Sequence, residues 1–305
     1  MVQPLAPLAA PSPQGDERLD GHLLLAWRRG QLACGGSPAD FDWLLDFAGG
    51  LGWADLQRLR LTPDRFVSLR LARPGLEALW ARHLQTREPL QYLVGLCPWR
   101  DLNLVVAPGV LIPRQETELL VELACAGADD PALWADLGTG SGCLAVALAR
   151  AFPASAGLAV DVSPPALAQA ADNLARHGLS HQVALHCGSW WEPLRPWWGR
   201  LELGVANPPY IPTALLAGLD PVVRDHEPSL ALDGGGDGLA AIRAVVAGAP
   251  RALAPGGRLL IEHHHDQSEA VLQLLEEAAL AEIRAHRDLE GVLRFASARA
   301  PEVTV

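Results

Sequence analysis

The sequence predicts an α/β protein: a doubly wound, seven-stranded, mostly parallel sheet whose last strands are antiparallel, preceded by a small helical bundle. Three observations predict it. After residue 131, short aliphatic runs alternate with helix-length patterns, as in successive βαβ units. The last two strand-like runs are joined by a connection too short for a parallel crossover, so they pair antiparallel. Before residue 88 the apolar residues recur at helical spacing instead, punctuated by caps and stops.

The elements follow in order. Residues 1–15, MVQPLAPLAAPSPQG, are broken by prolines and lack a charged leader region, so a disordered tail is expected rather than a secretory signal. Residues 16–88 are expected to be helical throughout. Leu19, Leu23, Leu24 and Trp27 share a helical face. SPADFDWLLDFAGG offers Ser37 as N-cap, Pro38 in the first turn and Gly-Gly as a stop. TPDRFVSLRLARPG repeats that device with Thr62 and Pro63, and GLEALWARHLQTRE is a further helix. Residues 89–113 mix β-branched residues with Gly and Pro and suggest a hairpin linking two domains. A second domain, 114–305, opens with the helix RQETELLVELACAG. Its strands are LWADL, GLAVDV, QVALHC, LELGVAN, RLLIEH and two more near EIRAHRD and VLRFASAR. Helices are expected at CLAVALARAF, PPALAQAADNLARHG, 237–253 and QSEAVLQLLEEAAL.

Composition narrows the chemistry. The net charge of −11 argues against a protein that wraps duplex nucleic acid, which needs a basic face. All 24 basic residues are arginine, so Schiff-base, P-loop and general-base lysines are excluded. The 5 cysteines are scattered without a CxxC pair and read as reduced thiols of a cytoplasmic protein. No run has the length and apolarity of a membrane span.

The sheet predicts where a ligand sits. DLGTGSG lies where the first strand turns into a helix, and its glycines (Gly138, Gly140, Gly142, with Thr139 and Ser141 between) allow close backbone approach. Asp161 ends the second strand, where a carboxylate accepts from both ribose hydroxyls. Its competing role, capping the next helix, is already filled by Ser163 ahead of Pro164 and Pro165. In CGSWWEP, after the third strand, Trp190 and Trp191 compete to lie against an adenine face. These features fit a nicotinamide dinucleotide as well as S-adenosylmethionine.

The fourth strand decides. It ends in NPPY, Asn207 to Tyr210, at the carboxyl edge where open sheets bind ligands. An amide or aromatic amine is a poor nucleophile, because its lone pair is delocalised. Two acceptors aimed at its N–H groups hold it and favour pyramidalisation. The Asn207 side-chain carbonyl and the Pro208 backbone carbonyl supply them. Pro208 and Pro209 make the turn rigid, and Tyr210 covers the planar group. A parallel sheet that ends antiparallel and carries NPPY has the shape of a Rossmann-like, class I S-adenosylmethionine-dependent methyltransferase.

PLQYLVGLCPWRDLNLVVAPGVLIPRQETELLVE (89–122), DLGTGSG, NPPYIP, HEPSLALDGGGDGL (226–239) and GGRLLIEHHHDQ (256–267) together resemble the bacterial release factor glutamine methyltransferases, the HemK/PrmC family. The resemblance runs from about residue 16 to 299. It implies a substrate, the glutamine of the Gly-Gly-Gln motif in class 1 peptide chain release factors, methylated on N5 with S-adenosylhomocysteine released. By position it assigns Gly138 to Gly142, Asp161 and Trp190 to S-adenosylmethionine. It assigns Asn207, Pro208, Pro209 and Tyr210 to the glutamine amide, with Asn207 also near the cofactor. It makes Arg114 and Glu118 candidates for the active-site wall, a role that competes with a salt-bridged helix start, and the N-terminal bundle the docking module; a monomer is expected. Two positions depart from the family: Ser189 where many relatives carry Asp, and Gln115 where Pro is commoner. Two readings compete, a ribosomal-protein glutamine methyltransferase and an adenine-N6 nucleic-acid methyltransferase. A non-catalytic cofactor-binding subunit is a third.

Two further stretches are tempting as ion sites. His263, His264 and His265 are consecutive at a strand end, so they point to alternate faces and no metal is expected. DGGGDG (233–238) reads as a mobile loop, because the rest of a calcium loop is missing.

Overall fold

In the computed structural model, residues 17–127 and 130–302 are described; the tail expected at 1–15 lies outside them. Two units divide between Leu96 and Cys97, each with its own core. The hairpin segment expected at 89–113 is therefore divided between the units.

The first unit runs β1 (Glu17–Asp20), α1 (Gly21–Ala33), α2 (Pro38–Phe47), α3 (Trp53–Leu61), β2 (Phe66–Leu69), α4 (Arg73–Thr86) and α5 (Leu90–Val94). Ser37 caps α2 through its hydroxyl, with Pro38 in the first turn. Leu24, Phe41, Leu44, Leu56, Leu76 and Trp80 fill the core. The unit is not wholly helical: β1 and β2 form an antiparallel ribbon from Glu17↔Leu69 to Asp20↔Phe66. Thr62 does not cap a following helix either. Its hydroxyl donates back to the Arg58 carbonyl at 2.9 Å and closes α3.

The hairpin of β3 (Leu96–Trp99), which begins on the last residue of the first unit, and β4 (Leu102–Val105) leads into the second unit, followed by α6 (Glu118–Cys125). The alternating part follows as β5 (Leu133–Leu137), α7 (Cys143–Ala151), β6 (Ala156–Asp161), α8 (Pro164–Arg176), β7 (Val183–Cys187) and β8 (Leu201–Ala206). A short helix α9 (Pro221–Arg224) precedes α10 (Ala240–Ala252), β9 (Leu253–Glu262), α11 (Ser268–Glu277), β10 (Ala281–Arg287) and β11 (Leu293–Arg299). The 7 strands form one sheet in the order β10-β11-β9-β8-β5-β6-β7. β11 is antiparallel to both neighbours and the rest are parallel. No helix among the described residues is long and apolar enough to cross a membrane.

The strand alternation separates two cores. Trp134 on β5 packs with α6 and α7, whereas Ala135 and Leu137 pack with α10 and α11 on the other face. Trp191 fills the second of these. It is 3% exposed, donates to the Val245 carbonyl of α10 at 2.7 Å, and lies against Gly204 on β8 and Gly248 on α10. A methyl group added at Gly248 would enter the Trp191 ring.

Asp136, also on β5, is fully buried. Its Oδ2 accepts from the Thr139 hydroxyl at 2.6 Å, and its Oδ1 has no hydrogen-bond partner among the described residues. Burial pushes its carboxyl up to about 7; the Thr139 bond opposes that shift and the Asp161 charge adds to it. Between about pH 4 and 7 the folded chain holds a proton that the unfolded chain has released, so this group's contribution to stability falls as pH rises through that window.

Two outcomes are expected. In an ordinary helix Gly→Ala stabilises by up to ~1 kcal/mol, but Gly248→Ala is expected to destabilise by about 1–2 kcal/mol in denaturant titration, because overpacking exceeds propensity. A stabilised variant would contradict the packing. Asp136→Asn is expected to melt ~5 °C above the native protein at pH 8, with the advantage shrinking toward pH 5. An advantage that grows toward acid would reverse the assigned sign.

Candidate active site

Four strands end level with one another. Leu137 of β5 pairs with Val160 of β6 and with Ala206 of β8, and Ala206 pairs with Ile261 of β9. The next residues are therefore neighbours at one sheet edge: Gly138, Asp161, Asn207 and Glu262. The strand order reverses at β5 and β8. That is where an open parallel sheet leaves a crevice, and here a cavity of about 350 Å³ opens.

The glycine turn forms one wall. Gly138 and Gly142 have φ of +77° and +81°, which only glycine adopts cheaply. The Gly138 and Thr139 amides donate to the Val160 carbonyl at 2.8 and 2.9 Å, fastening the turn to β6. Gly142 brings α7 against Ala170 of α8 so closely that a Cβ would crowd it. At Gly140, in contrast, a Cβ would meet no protein atom and would project into free space. Thr139 and Ser141 also border the cavity, but both are buried, and the Thr139 hydroxyl is committed to Asp136. Asn173 braces the turn from behind, donating to the carbonyls of Ser141 and Val105 at 2.8 and 2.9 Å.

Asp161 borders the cavity with a carboxylate that is half used. Oδ2 accepts from the Gly140 amide and Oδ1 from the Ser163 amide, each at 2.9 Å. A carboxylate has about four acceptor positions, so two remain. Ser163 caps α8 as expected. The two tryptophans separate cleanly. Trp191 is the core residue described above, whereas Trp190 lines the cavity beside Gly138. Trp190 sits at φ +48°, an uncommon conformation for a bulky residue. Ser189 lies beside it on the cavity wall.

NPPY leaves β8 at the cavity's far side. Asn207 and Pro209 line it. Pro208 is buried. Tyr210, expected to cover a planar group in the site, is not among the lining residues. Its ring packs onto the core under the sheet, and its hydroxyl donates to Glu262 Oε1 at 3.3 Å. Burial and the Glu262 charge hold its phenol well above the usual range. The Asn207 side chain donates from Nδ2 to Thr117 Oγ1 at 2.9 Å, and Thr117 donates to Glu262 Oε2 at 2.7 Å. Glu262 is 2% exposed. Burial pushes its carboxyl up to about 7, against the hydrogen bonds from Thr117 and Tyr210.

The two wall candidates part company. Arg114 borders the cavity and pairs with the buried Glu227 at 2.7 Å, while Glu227 also accepts from the Ile112 amide. The pair ties the 110–114 segment to the loop at 226–232. Glu118 points elsewhere, accepting from the Arg100 amide at 2.9 Å. The Gln115 amide reaches the Pro98 carbonyl at 3.4 Å. The 233–238 segment, expected to be a mobile loop, forms a turn with several hydrogen bonds. Asp233 accepts from the Thr213 hydroxyl and the Gly235 amide, and Asp237 caps the approach to α10. His263 is buried with its Nδ1 on the His264 carbonyl, and His264 pairs with Asp266. Among the described residues no group of three or more His, Cys, Asp or Glu could hold a metal.

Sequence reasoning missed Thr117, Glu227 and Glu262. The available signals were that all three lie within segments that carry the family resemblance, and that Glu262 is a lone carboxylate at the end of the apolar run RLLIE.

This arrangement suits a nucleoside-bearing ligand: open space at Gly140, two free acceptor positions on Asp161, and a flat ring at Trp190. Beside it, the amide carbonyl of Asn207 has no donor among the described residues. A family model described as a methyltransferase domain matches residues 135–198. The release factor glutamine methyltransferase of Prochlorococcus marinus is 51% identical over 282 residues, covering 91% of this chain and 96% of that protein. The proteins of that name from Thermosynechococcus vestitus and Synechocystis sp. are 45% and 40% identical, covering 81% and 89% of this chain and 87% and 93% of their own lengths. With similarity of that depth along nearly its whole length, the chain belongs to the release factor glutamine methyltransferase family.

Proposed function

We propose that the protein transfers a methyl group from S-adenosylmethionine to the side-chain N5 of the glutamine in the Gly-Gly-Gln motif of class 1 peptide chain release factors. The observation that carries this reading is Asn207. Its Nδ2 is committed to Thr117, and its Oδ1 remains as an acceptor on the wall shared with the glycine turn.

When bound, S-adenosylmethionine supplies an electrophilic methyl group on a sulfonium sulfur. Asp161 accepts the ribose hydroxyls at its two remaining positions, and Trp190 offers its face to the adenine. Asn207 Oδ1 and the Pro208 carbonyl accept the two N–H groups of the glutamine amide. That pairing orients the nitrogen and draws its lone pair out of conjugation before reaction. As the N–C bond forms, the C–S bond breaks and S-adenosylhomocysteine is the leaving group; the methylated nitrogen is acidic and gives its proton to water as product departs, so no strong base is needed, consistent with a site free of lysine. Tyr210 anchors the turn from behind. Exclusion of water falls to the apolar lining residues Leu111, Val162 and Leu230, of which Val162 and Leu230 are 47% and 61% exposed. The first unit, with its separate core, is the proposed docking module for the protein partner.

Transfer of labelled methyl to a purified class 1 release factor tests this. Label is expected in the native partner and not in one whose motif glutamine is replaced. Labelling of DNA alone, or labelling indifferent to that glutamine, would overturn the reading. Asn207→Ala is expected to lower kcat by ~100-fold or more while leaving Tm within about 2 °C, because a strand-end loop adds little to the core. Equal losses of rate and stability would contradict it. Trp190→Ala is expected to weaken S-adenosylhomocysteine binding ~10-fold or more in calorimetry, and unchanged affinity would remove the ring from the cofactor site.

A further inference from the structure

We infer that Glu262 and Thr117 are positioning residues that set which end of the Asn207 amide faces the substrate. The inference rests on the proposed function and explains what makes its central acceptor available.

The two ends of an asparagine amide are nearly the same shape, so only hydrogen-bond partners decide its orientation. A turn that must accept from a substrate N–H fails if the amide turns over, because an NH₂ group would then face an NH₂ group. The chain of bonds behind Asn207 removes that freedom. Ionised Glu262 has only acceptors. Thr117 has a single hydroxyl hydrogen, and it is spent on Glu262 Oε2 at 2.7 Å. The Thr117 oxygen can then serve its other neighbour only as an acceptor. Asn207 must offer it Nδ2, at 2.9 Å, and Oδ1 is turned the other way. The other Glu262 oxygen receives the Tyr210 hydroxyl at 3.3 Å. One carboxylate therefore grips both ends of the NPPY turn. The three groups come from the entry to α6, the end of β8 and the end of β9. Thr117 precedes α6 with helical backbone angles, φ −60° and ψ −19°, which leaves its hydroxyl free of capping and available to Glu262.

The experiment compares Thr117→Val, Thr117→Ser and Asn207→Ala with the native enzyme at pH 8, each assayed for kcat and KM on a release factor and for S-adenosylhomocysteine affinity. Valine keeps the shape and removes the hydroxyl. It is expected to lower kcat by ~30-fold, with KM and cofactor affinity within ~3-fold, because it frees the amide without emptying the site. Serine restores the hydroxyl and is expected to recover kcat to within ~3-fold of native. Adding Thr117→Val to Asn207→Ala is expected to cost nothing further, since the residues act in series. If valine disturbs folding, Thr117→Ala with the same serine comparison serves instead. A valine or alanine variant at native kcat, a serine variant as slow as valine, or full additivity with Asn207→Ala would overturn the inference. Failure of the native enzyme to methylate any release factor would instead overturn the function on which it rests.

Discussion

The shared register of four parallel strand ends is the constraint on which the site depends. Val160, Leu137, Ala206 and Ile261 lie in one row across β6, β5, β8 and β9. The residues that follow are Asp161, Gly138, Asn207 and Glu262. A one-residue slip in any pair would turn the following side chain to the opposite face of the sheet. The buried aliphatic row thus does two things: it packs into one of the two cores, and it brings a glycine turn, a carboxylate, an amide and a buried glutamate to one edge.

The chemistry asked of this edge is modest in groups and demanding in orientation. An amide nitrogen does not need a base strong enough to ionise it; it needs its two hydrogens held while a methyl group approaches in line. On the proposed function, the fold meets that need with stiffness. Two prolines fix the turn, a tyrosine is pinned behind it, and a directional run of hydrogen bonds fixes the amide. The Arg114–Glu227 pair ties one segment at the cavity to another. The raised carboxyls of Asp136 and Glu262 show what the arrangement costs, since both are buried against the preference of a charge for water.

The features legible in the sequence were those carried by contiguous residues. DLGTGSG, Asp161 and NPPY each sit at the end of a readable strand, so the order of the elements alone placed them at one edge. The helix starts at Ser37 and Ser163 were legible because their caps and following prolines are local signals. The β1–β2 ribbon was not, because four residues such as FVSL carry too little period to outweigh helical neighbours, and a Thr-Pro pair reads alike as a cap or a stop. Trp190 and Trp191 were indistinguishable until packing was known, since Gly204 and Gly248 make room for only one of them. Thr117 and Glu262 are separated by 145 positions. Their contact has no sequence period, and Thr117 reads only as one polar residue near the start of a helix.

The most direct measurement is tandem mass spectrometry of a class 1 release factor incubated with this protein and S-adenosylmethionine, read for the atom that carries the added methyl group. The account predicts a single methyl on the side-chain nitrogen of the motif glutamine, absent when Asn207 is replaced by alanine. Methyl on a carboxylate, a backbone atom or another residue, or the same product from the alanine variant, would contradict it.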